Sequence, residues 1–342
     1  MKKITLLSLI TASMISFSYG TEVPSSAAIM QTALLEMKAV INSNEVPTEK
    51  VATSDTFDYK LQATKVSDNA WCFLGALEGP SKKNAGNMVN TCYVKTKDSF
   101  VVVDTGPSYQ YAKQAYVVMQ KIQDLPVKLV VNSHEHDDHW LGNEFYKSKF
   151  QAEIIGPKLI NKYKEGDKTR MFNTLPKNAI EGTKIIAVDK SPIETLTLTI
   201  GEEKFEIIPM NIKAHTEEDF FVYMPERKVI FAGDLVMNGR ITSNRHGSLL
   251  GQLKALEMIK GLEWDVLVPG HGLNVGKDAM AEAEQYFTLL YERILQALED
   301  DVDSSELTKV IPMNEFKDKA MFQALNGQNV EEAFTEIEFA ED

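Results

Sequence analysis

The sequence predicts an α/β protein in which two β-sheets pack face to face and helices cover both outer surfaces. Two sets of short apolar strands occur along the chain, and each set carries helical segments of its own. Glycine and proline separate most of these segments, as expected for elements joined by tight turns. Strand sets that each carry helices bury their apolar faces best as stacked layers.

The first set of strands occupies the N-terminal half of this region. Short alternating or apolar stretches predict strands there, and they are followed by alternating helices and strands. The predicted strands are "DYKLQATKV", "AWCFLGA", "NTCYVKT", "SFVVVDTG", "VKLVVNSH" and "AEIIGP", and the predicted helices are "YAKQAYVVMQKI" and "KLINKYK".

The second set of strands leads into the helical C-terminal part. The predicted strands are "TKIIAV", "LTLTI", "KFEIIPM", "DFFVYMP", "KVIFAGD" and "DVLVPGHG", and the helix "LLGQLKALEMIKGL" precedes the last of them. Two acidic amphipathic stretches, "GKDAMAEAEQYFTLLYERILQALEDD" and "NVEEAFTEIEFAED", predict further helices laid against this body.

The N-terminal segment differs in composition from the rest of the chain. Residues 1–20 combine two lysines, a short apolar stretch and small residues, which is typical of a secretory signal peptide and predicts a periplasmic protein. An uncleaved N-terminal anchor is the alternative. We therefore divide the chain into a signal peptide, an N-terminal helix with a linker (21–56), a main domain (57–275) and a C-terminal helical extension packed on it (276–342).

The charge of the protein limits its partners. The formal net charge is −13, and removal of residues 1–20 takes away Lys2 and Lys3 and no acid, which gives −15. Nucleic acids and anionic membranes bind basic surfaces, so neither is expected as a partner. We expect a small-molecule substrate and no membrane anchor after signal cleavage; the sequence does not indicate the oligomeric state.

The two cysteines lie close together in the sequence. Cys72 and Cys92 fall in neighbouring predicted strands that can form a hairpin. In an oxidising compartment a disulfide between them would contribute about 3 kcal/mol of stability. Two unpaired buried thiols are the alternative.

Histidines concentrate at predicted strand ends. Three of the six occur within "SHEHDDH", directly after an apolar strand, and two more stand in "KAHTEED" and "VPGHG". Asp234 follows the strand "VIFAG" in the same way. Imidazole nitrogen and carboxylate oxygen are zinc ligands, whereas a helix cap would need only one acceptor. The pattern predicts a metal site assembled at one edge of the sheets.

The motif series resembles that of the metallo-β-lactamase superfamily. HxHxDH is followed by His before Thr, by GD after a strand and by PGHG, in the family's order, and "VVVDTG" resembles its early signature. The resemblance implies an αββα four-layer sandwich, here with an added N-terminal helix and C-terminal helices. It implies two Zn²⁺ ions, one on His134, His136 and His215, the other on Asp138, His139 and His271, with Asp234 bridging.

The family resemblance implies a hydrolase that attacks a carbonyl of an ester, thioester, lactone or amide with a hydroxide held between the metals. Asp138 would orient that hydroxide and take up its proton. Asp234 stands where true metallo-β-lactamases carry Cys or Ser, and a carboxylate there is similar to other hydrolase branches and tolerates Fe or Mn. The signal and the tail "NGQNVEEAFTEIE" further resemble periplasmic zinc hydrolases of quinoprotein and sulfur-oxidation systems.

Three alternatives remain: a mono-iron sulfur (persulfide) dioxygenase, a β-lactamase, and a metal-binding accessory protein without turnover. Around the site, Asp104 is a candidate to orient a ligand histidine, with a plain turn cap as the alternative. Arg240, Arg245 and His246 form a basic loop that would bind a substrate anion unless the loop is merely solvated. The segment 166–182 is a second loop that either lines the cleft or lies on the surface.

Overall fold

A computed structural model describes residues 55–164 and 166–340 of the chain. The predicted signal peptide and N-terminal helix lie outside these residues. Eleven strands are found in the described part: β1 Thr64–Lys65, β2 Ala70–Phe73, β3 Thr91–Lys95, β4 Phe100–Val103, β5 Val127–Val131, β6 Glu153–Ile155, β7 Leu196–Ile200, β8 Glu203–Pro209, β9 Phe220–Met224, β10 Val229–Phe231 and β11 Val266–Val268.

The helices flank these strands. In chain order the described α-helices are α1 Tyr109–Ile122, α2 Asp137–Trp140, α3 Asn143–Phe150, α4 Arg170–Thr174, α5 Lys177–Ile180, α6 Leu249–Lys260, α7 Ala281–Glu299, α8 Leu307–Val310 and α9 Phe322–Glu338. Serine side chains cap the N-terminal ends of α1 and α6. The side chain of Ser108 accepts from Tyr111 N, and that of Ser248 accepts from Gly251 N.

The strands form two sheets. The first has the order β1-β2-β3-β4-β5-β6, antiparallel as far as β4 and parallel from β4 to β6. The second has the order β11-β10-β9-β8-β7, antiparallel except for the β10–β11 pair. The β4–β5 connection crosses over through α1, as a parallel pair requires.

The side chains of these strands separate into three layers of core. Alternation along β4 shows the principle: Val101 and Val103 pack between the two sheets, whereas Phe100 and Val102 face the other side with the helices α1 and α3. The outer face of the second sheet packs against α6, α7 and α9. The predicted αββα four-layer sandwich is confirmed, and both C-terminal helices belong to its outer layer.

Two predicted strands differ from the structure. Residues 183–188, "TKIIAV", form no strand, although Ile185, Ile186 and Val188 pack with the helices on the first sheet. In "DYKLQATKV" only Thr64–Lys65 pairs, and Tyr59 is instead buried against α1. In both segments apolar side chains are buried by packing, although most of the backbone forms no strand pairing. The predicted helix "KLINKYK" is a short 3-10 helix at Lys158–Lys162.

The predicted disulfide is present. Cys72 and Cys92 face each other directly in the β2–β3 register and are bonded, and both side chains are buried between the sheets. The bond closes the base of the long β2–β3 loop, which approaches the candidate site. Among the described residues, no helix has the length and apolar character needed to span a membrane.

Candidate metal centre

The predicted ligands meet at one edge of the sandwich, where strands of both sheets end. His134 follows β5, and His215 lies in the β8–β9 loop. The backbone N–H of Phe220 at the start of β9 donates to the carbonyl of Ser133 at 2.7 Å, so the two sheets are joined here. Asp234 follows β10 and His271 follows β11.

The first donor set consists of three imidazoles. His136 Nδ1 lies 3.0 Å from His134 Nε2 and 3.1 Å from His215 Nε2. Tetrahedral ligands held at 2.0–2.1 Å from zinc stand about 3.3 Å from one another, so these nitrogens have nearly the separation that one ion imposes. Asp234 Oδ2 completes the set at 3.3 Å from His215 Nε2 and 3.5 Å from His134 Nε2.

The second donor set lies directly beside the first. His139 Nε2 and His271 Nε2 are 3.3 Å apart, and Asp138 Oδ2 lies 3.6 Å and 3.3 Å from them. Asp234 touches this set too, because its Oδ1 is 3.3 Å from His139 Nε2 and its Oδ2 is 3.3 Å from His271 Nε2. Asp234 therefore stands between two adjacent sets.

Buried atoms of these residues lack hydrogen bonds. Asp138 Oδ2 and Asp234 Oδ1 accept none in the described structure, although both atoms are fully buried. A buried carboxylate oxygen without a donor is costly unless a cation satisfies it. The donor chemistry, the spacing and the unsatisfied oxygens thus fit two divalent metal ions.

The electrostatics of the two sets differ. Burial first, and then the neighbouring imidazoles, hold the pKa of His134 and His136 well below the usual histidine value, so both are neutral and offer lone pairs. Burial opposes protonation of His139 as well, but the carboxylates around it, Asp234 first, raise its pKa well above the usual value. The second set therefore attracts positive charge, which a metal ion would supply.

Asp104 holds a ligand of the second set. Its Oδ2 accepts from His139 Nδ1 at 2.8 Å and from Ser133 Oγ at 2.8 Å, and its Oδ1 accepts from Ser133 N at 2.8 Å. Ser133 Oγ in turn lies 3.0 Å from His134 Nδ1. Because these contacts occupy the outer nitrogens, Nε2 of both histidines points to the donor sets. The contacts of Asp104 with Ser133 and His139 thus go beyond those of a plain turn cap, and they fit the predicted orienting role.

The loop of His271 is built on close backbone contacts. His271 Nδ1 donates to the carbonyl of Met88 at 2.6 Å, and Asn90 Nδ2 donates to the carbonyls of Pro269 and Gly272. A Cβ on Gly270 would stand 2.1 Å from Asp234 Oδ1, so glycine is required for the two ligand loops to approach. The β2–β3 loop, closed by the disulfide, therefore supports the second donor set.

Arg170 is a site residue that the sequence analysis did not single out. It comes from the segment 166–182, and its Nη2 donates to Asp138 Oδ1 at 2.8 Å and to Asp137 Oδ1 at 3.0 Å. Burial would raise the pKa of Asp138, but His139, His271 and this guanidinium outweigh it and hold the pKa well below its usual range. Oδ2 of the ionised carboxylate is thereby left for the donor set. The only sequence feature that pointed to Arg170 was the presence of an arginine in a loop of an acidic chain.

The three residues of the basic loop after Asp234 differ in burial and in their contacts. Arg240 is buried with 7% of its surface exposed and lines the cleft together with the donor sets, and its buried Nε and Nη1 make no hydrogen bond among the described residues. Arg245 lies exposed at the rim. His246 Nδ1 is 3.0 Å from His136 Nε2, so His246 contacts the outer nitrogen of a ligand as well as the cleft.

The cleft has a volume of about 380 Å³ and is lined by the inner faces of both donor sets. Arg170, Arg240 and Arg245 supply positive charge on its walls, and Tyr163 and Thr169 complete the polar side. The segment that includes Arg170 therefore lines the cleft and is not a surface excursion.

Comparison with known proteins places this geometry in context. The sequence-family model of the Metallo-beta-lactamase superfamily matches residues 85–271 of this chain. A linear primary-alkylsulfatase of Pseudomonas sp. is 24% identical over 55% of this chain and 42% of its own length. A hydroxyacylglutathione hydrolase of Brucella anthropi is 26% identical over 41% of this chain and 45% of its own length. The chain thus spans less than half of the length of these curated relatives.

A solved structure supports the fold. The metallo-beta-lactamase from Pontibacter korlensis superimposes with a TM-score of 0.53 at 20% identity, over 67% of this chain and 99% of the other. The matched residues 85–271 span Asp104 and every ligand that the motif series predicts. The protein belongs to the metallo-β-lactamase superfamily.

Proposed function

We propose that the protein is a dinuclear zinc hydrolase of the periplasm that cleaves a small anionic acyl substrate. The observation that carries the proposal is the pair of donor sets sharing Asp234 at the floor of an open cleft. Membership of a superfamily whose matched relatives are named as hydrolases supports this reaction class. A binding protein would not need two adjacent sets open to one cleft.

Each ion has its own ligands in this proposal. His134, His136 and His215 would hold the first, and Asp138, His139 and His271 the second, with Asp234 bridging. Neutral imidazoles and carboxylates suit Zn²⁺, and such ions lower the pKa of water and polarise the bond under attack.

The protein residues then have defined tasks. Asp138 is kept ionised and oriented by Arg170, so its Oδ2 is suited to accept a hydrogen bond from the attacking water and to aim it. Asp104 keeps His139 in the tautomer that presents Nε2 to the donor set. Arg240 has two buried nitrogens, Nε and Nη1, without hydrogen bonds in the described structure, and it would bind the substrate anion. Binding this anion would relieve the cost of burying donor nitrogens that lack acceptors.

A second candidate reaction is hydrolysis of a sulfate ester. The match to an alkylsulfatase covers 55% of this chain, and a guanidinium beside the metals is suited to a sulfate oxygen as well as to a carboxylate. The β-lactamase alternative has less support, because Asp234 occupies the position where lactamases carry Cys or Ser. The likeness to solved lactamase structures concerns the fold alone.

Substrate preference tests the role of Arg240. Turnover of a chromogenic lactam, of matched anionic and neutral esters and of an aryl sulfate is compared in the parent, Arg240→Ala and Arg245→Ala. We expect Arg240→Ala to lower kcat/KM for the anionic ester roughly 10- to 150-fold and to leave the neutral ester nearly unchanged. The exposed Arg245 serves as the control and should have a smaller effect. Efficient lactam turnover independent of both arginines would restore the lactamase alternative.

The periplasmic location rests on residues 1–20 and on the disulfide, which forms in oxidising compartments. Fractionation of cells producing the full chain should recover a shortened protein in the periplasm. Full-length protein in the membrane fraction would favour the uncleaved anchor instead.

Stepwise zinc loading tests the dinuclear reaction. Protein stripped with a chelator should regain ester hydrolysis as zinc is added and reach its plateau at two equivalents, whereas His136→Ala should lose first-site metal and nearly all activity. Full metal content and turnover in that variant would contradict the ligand assignment. Persulfide oxidation by an iron-loaded form, without ester hydrolysis, would support the dioxygenase alternative.

A further inference from the structure

One wall of the cleft is apolar and comes partly from the C-terminal helix α9. Met321, at the N-terminal end of α9, and Leu325, one turn later, line the cleft half-exposed. Pro80 continues this wall, and a Cβ on its neighbour Gly79 would stand 3.5 Å from Met321 Cε, so the two segments adjoin. We call the half-exposed surface of Pro80, Met321 and Leu325 the apolar wall.

Two buried methionines also line the cleft. Met88 and Met237 line the same cleft with 3% and 4% of their surface exposed. Methionine side chains adapt to flexible apolar partners because they are unbranched and polarizable. The cleft thus joins a charged half, with the donor sets and Arg240, to an apolar half.

The segment before α9 also fixes the backbone around Arg240. Ile241 N donates to the carbonyl of Ala320 at 2.9 Å, and Ala320 N donates to the carbonyl of Gly239 at 3.1 Å. These two bonds clamp Arg240 between them. The residue that follows Ala320 is Met321, so the anion-binding residue and the apolar wall are held in one fixed arrangement.

A second set of bonds extends this connection along the loop. Asn329, buried in α9, donates through Nδ2 to the carbonyl of Thr242 at 2.7 Å, and its Oδ1 accepts from Asn244 N at 3.0 Å. Helix α9 lies outside the residues 85–271 that match the superfamily. The part of the cleft that this helix builds is therefore an addition of this chain to the matched region.

We propose that the cleft binds amphiphilic substrates in which an anionic group is joined to an alkyl chain, with the anion on Arg240 and the chain along the apolar wall. The proposal deepens the proposed function and rests on it. Met321 and Leu325 each keep part of their surface exposed to the cleft, and an alkyl chain that lies against them leaves water. Each methylene that leaves water for this wall strengthens binding about fourfold.

Binding of non-hydrolysable probes tests the proposal without turnover. Linear alkanesulfonates of two to eight carbons are titrated into zinc-loaded protein by calorimetry. We expect Kd to fall about fourfold per methylene until the wall is covered. Met321→Ser with Leu325→Ser should flatten this dependence while leaving ethanesulfonate binding unchanged, and Arg240→Gln should weaken every member of the series by a similar factor. Linear carboxylates, titrated in parallel, distinguish a sulfonate-like from a carboxylate head.

Controls separate a folding defect from loss of the wall. Met258→Ser changes an exposed methionine on α6, away from the cleft, and should leave the whole series unchanged. Met321→Leu keeps an apolar side chain and should retain most of the chain-length dependence. Kd that does not vary with chain length in the parent, or a dependence that survives the double variant, would overturn the proposal.

Failure of this proposal can be distinguished from failure of the proposed function. If the probes bind with the expected chain-length dependence but no ester or sulfate ester is hydrolysed, the hydrolase proposal fails and the amphiphile site stands. If short esters are hydrolysed with two zinc ions bound but the probe series is flat, the hydrolase proposal stands and the amphiphile site is overturned.

Discussion

Asp104→Asn offers a sharp test of how the donor sets are oriented. The substitution preserves volume but replaces one carboxylate oxygen by an NH₂ group. In the parent, the two oxygens accept three hydrogen bonds, two from Ser133 and one from His139 Nδ1, all at 2.8 Å. An amide cannot accept all three, so the orientation of the introduced amide decides which donor loses its partner.

Both orientations carry a comparable cost. If NH₂ faces His139, the ring must accept at Nδ1, and its proton moves to Nε2, which points to the second donor set. If NH₂ faces Ser133 N instead, a buried backbone donor is left unsatisfied. This costs about 1–3 kcal/mol, which corresponds to a factor of roughly 5 to 150 in an equilibrium constant. Loss of a partner behind a ligand histidine lowers metal affinity about 10- to 100-fold. We therefore expect the second zinc affinity to fall within that range.

Zinc affinities measured by chelator competition provide the assay. The first-site affinity should fall less, because His134 reaches Asp104 only through Ser133. Asp98→Asn, at an exposed position just before β4, is the matched control and should change neither affinity. Two affinities within about twofold of the parent in Asp104→Asn would refute the orienting role.

Three further predictions follow from other contacts. Arg170→Gln should lower kcat/KM about 10- to 100-fold because it leaves the buried Asp138 without its partner, with partial recovery in Arg170→Lys. Replacing Cys72 and Cys92 together by Ala should lower the free energy of unfolding by about 3 kcal/mol in denaturant titrations; a change below about 1 kcal/mol would contradict a stabilising role. Burial raises the pKa of Asp219 to about 6, so the folded metal-free protein holds this proton more tightly than the unfolded chain. Its stability should therefore fall as the pH rises from about 4 to about 6, and urea unfolding of Asp219→Asn should lack this decrease.

The fold and the convergence of the candidate ligands were predictable from sequence because both depend on local patterns. The ligand histidines follow apolar strands directly, and strands that end at one edge bring their loops together. Asp104 follows β4 directly in the same way, and β4 pairs with β5, which leads to His134. Residues 183–188 show the limit of such patterns, because a short apolar run also suits an extended segment that packs without pairing.

The walls of the cleft were less accessible to sequence reasoning. Arg170 reaches Asp138 across 32 positions of chain, and neither residue's neighbourhood indicates the other. Arg240 and Arg245 occupy the same loop, and only their burial distinguishes them. Met321 enters the cleft because Ala320 pairs with the Arg240 segment, a contact that no periodicity predicts.

The metal content of protein purified without added metal tests the central claim most directly. Two adjacent donor sets of imidazole and carboxylate, joined by Asp234, predict two zinc ions per chain. The same measurement on Asp234→Ala should show less than one, because both sets lose a shared ligand. One iron per chain in the parent, or two metals retained in the variant, would contradict the account.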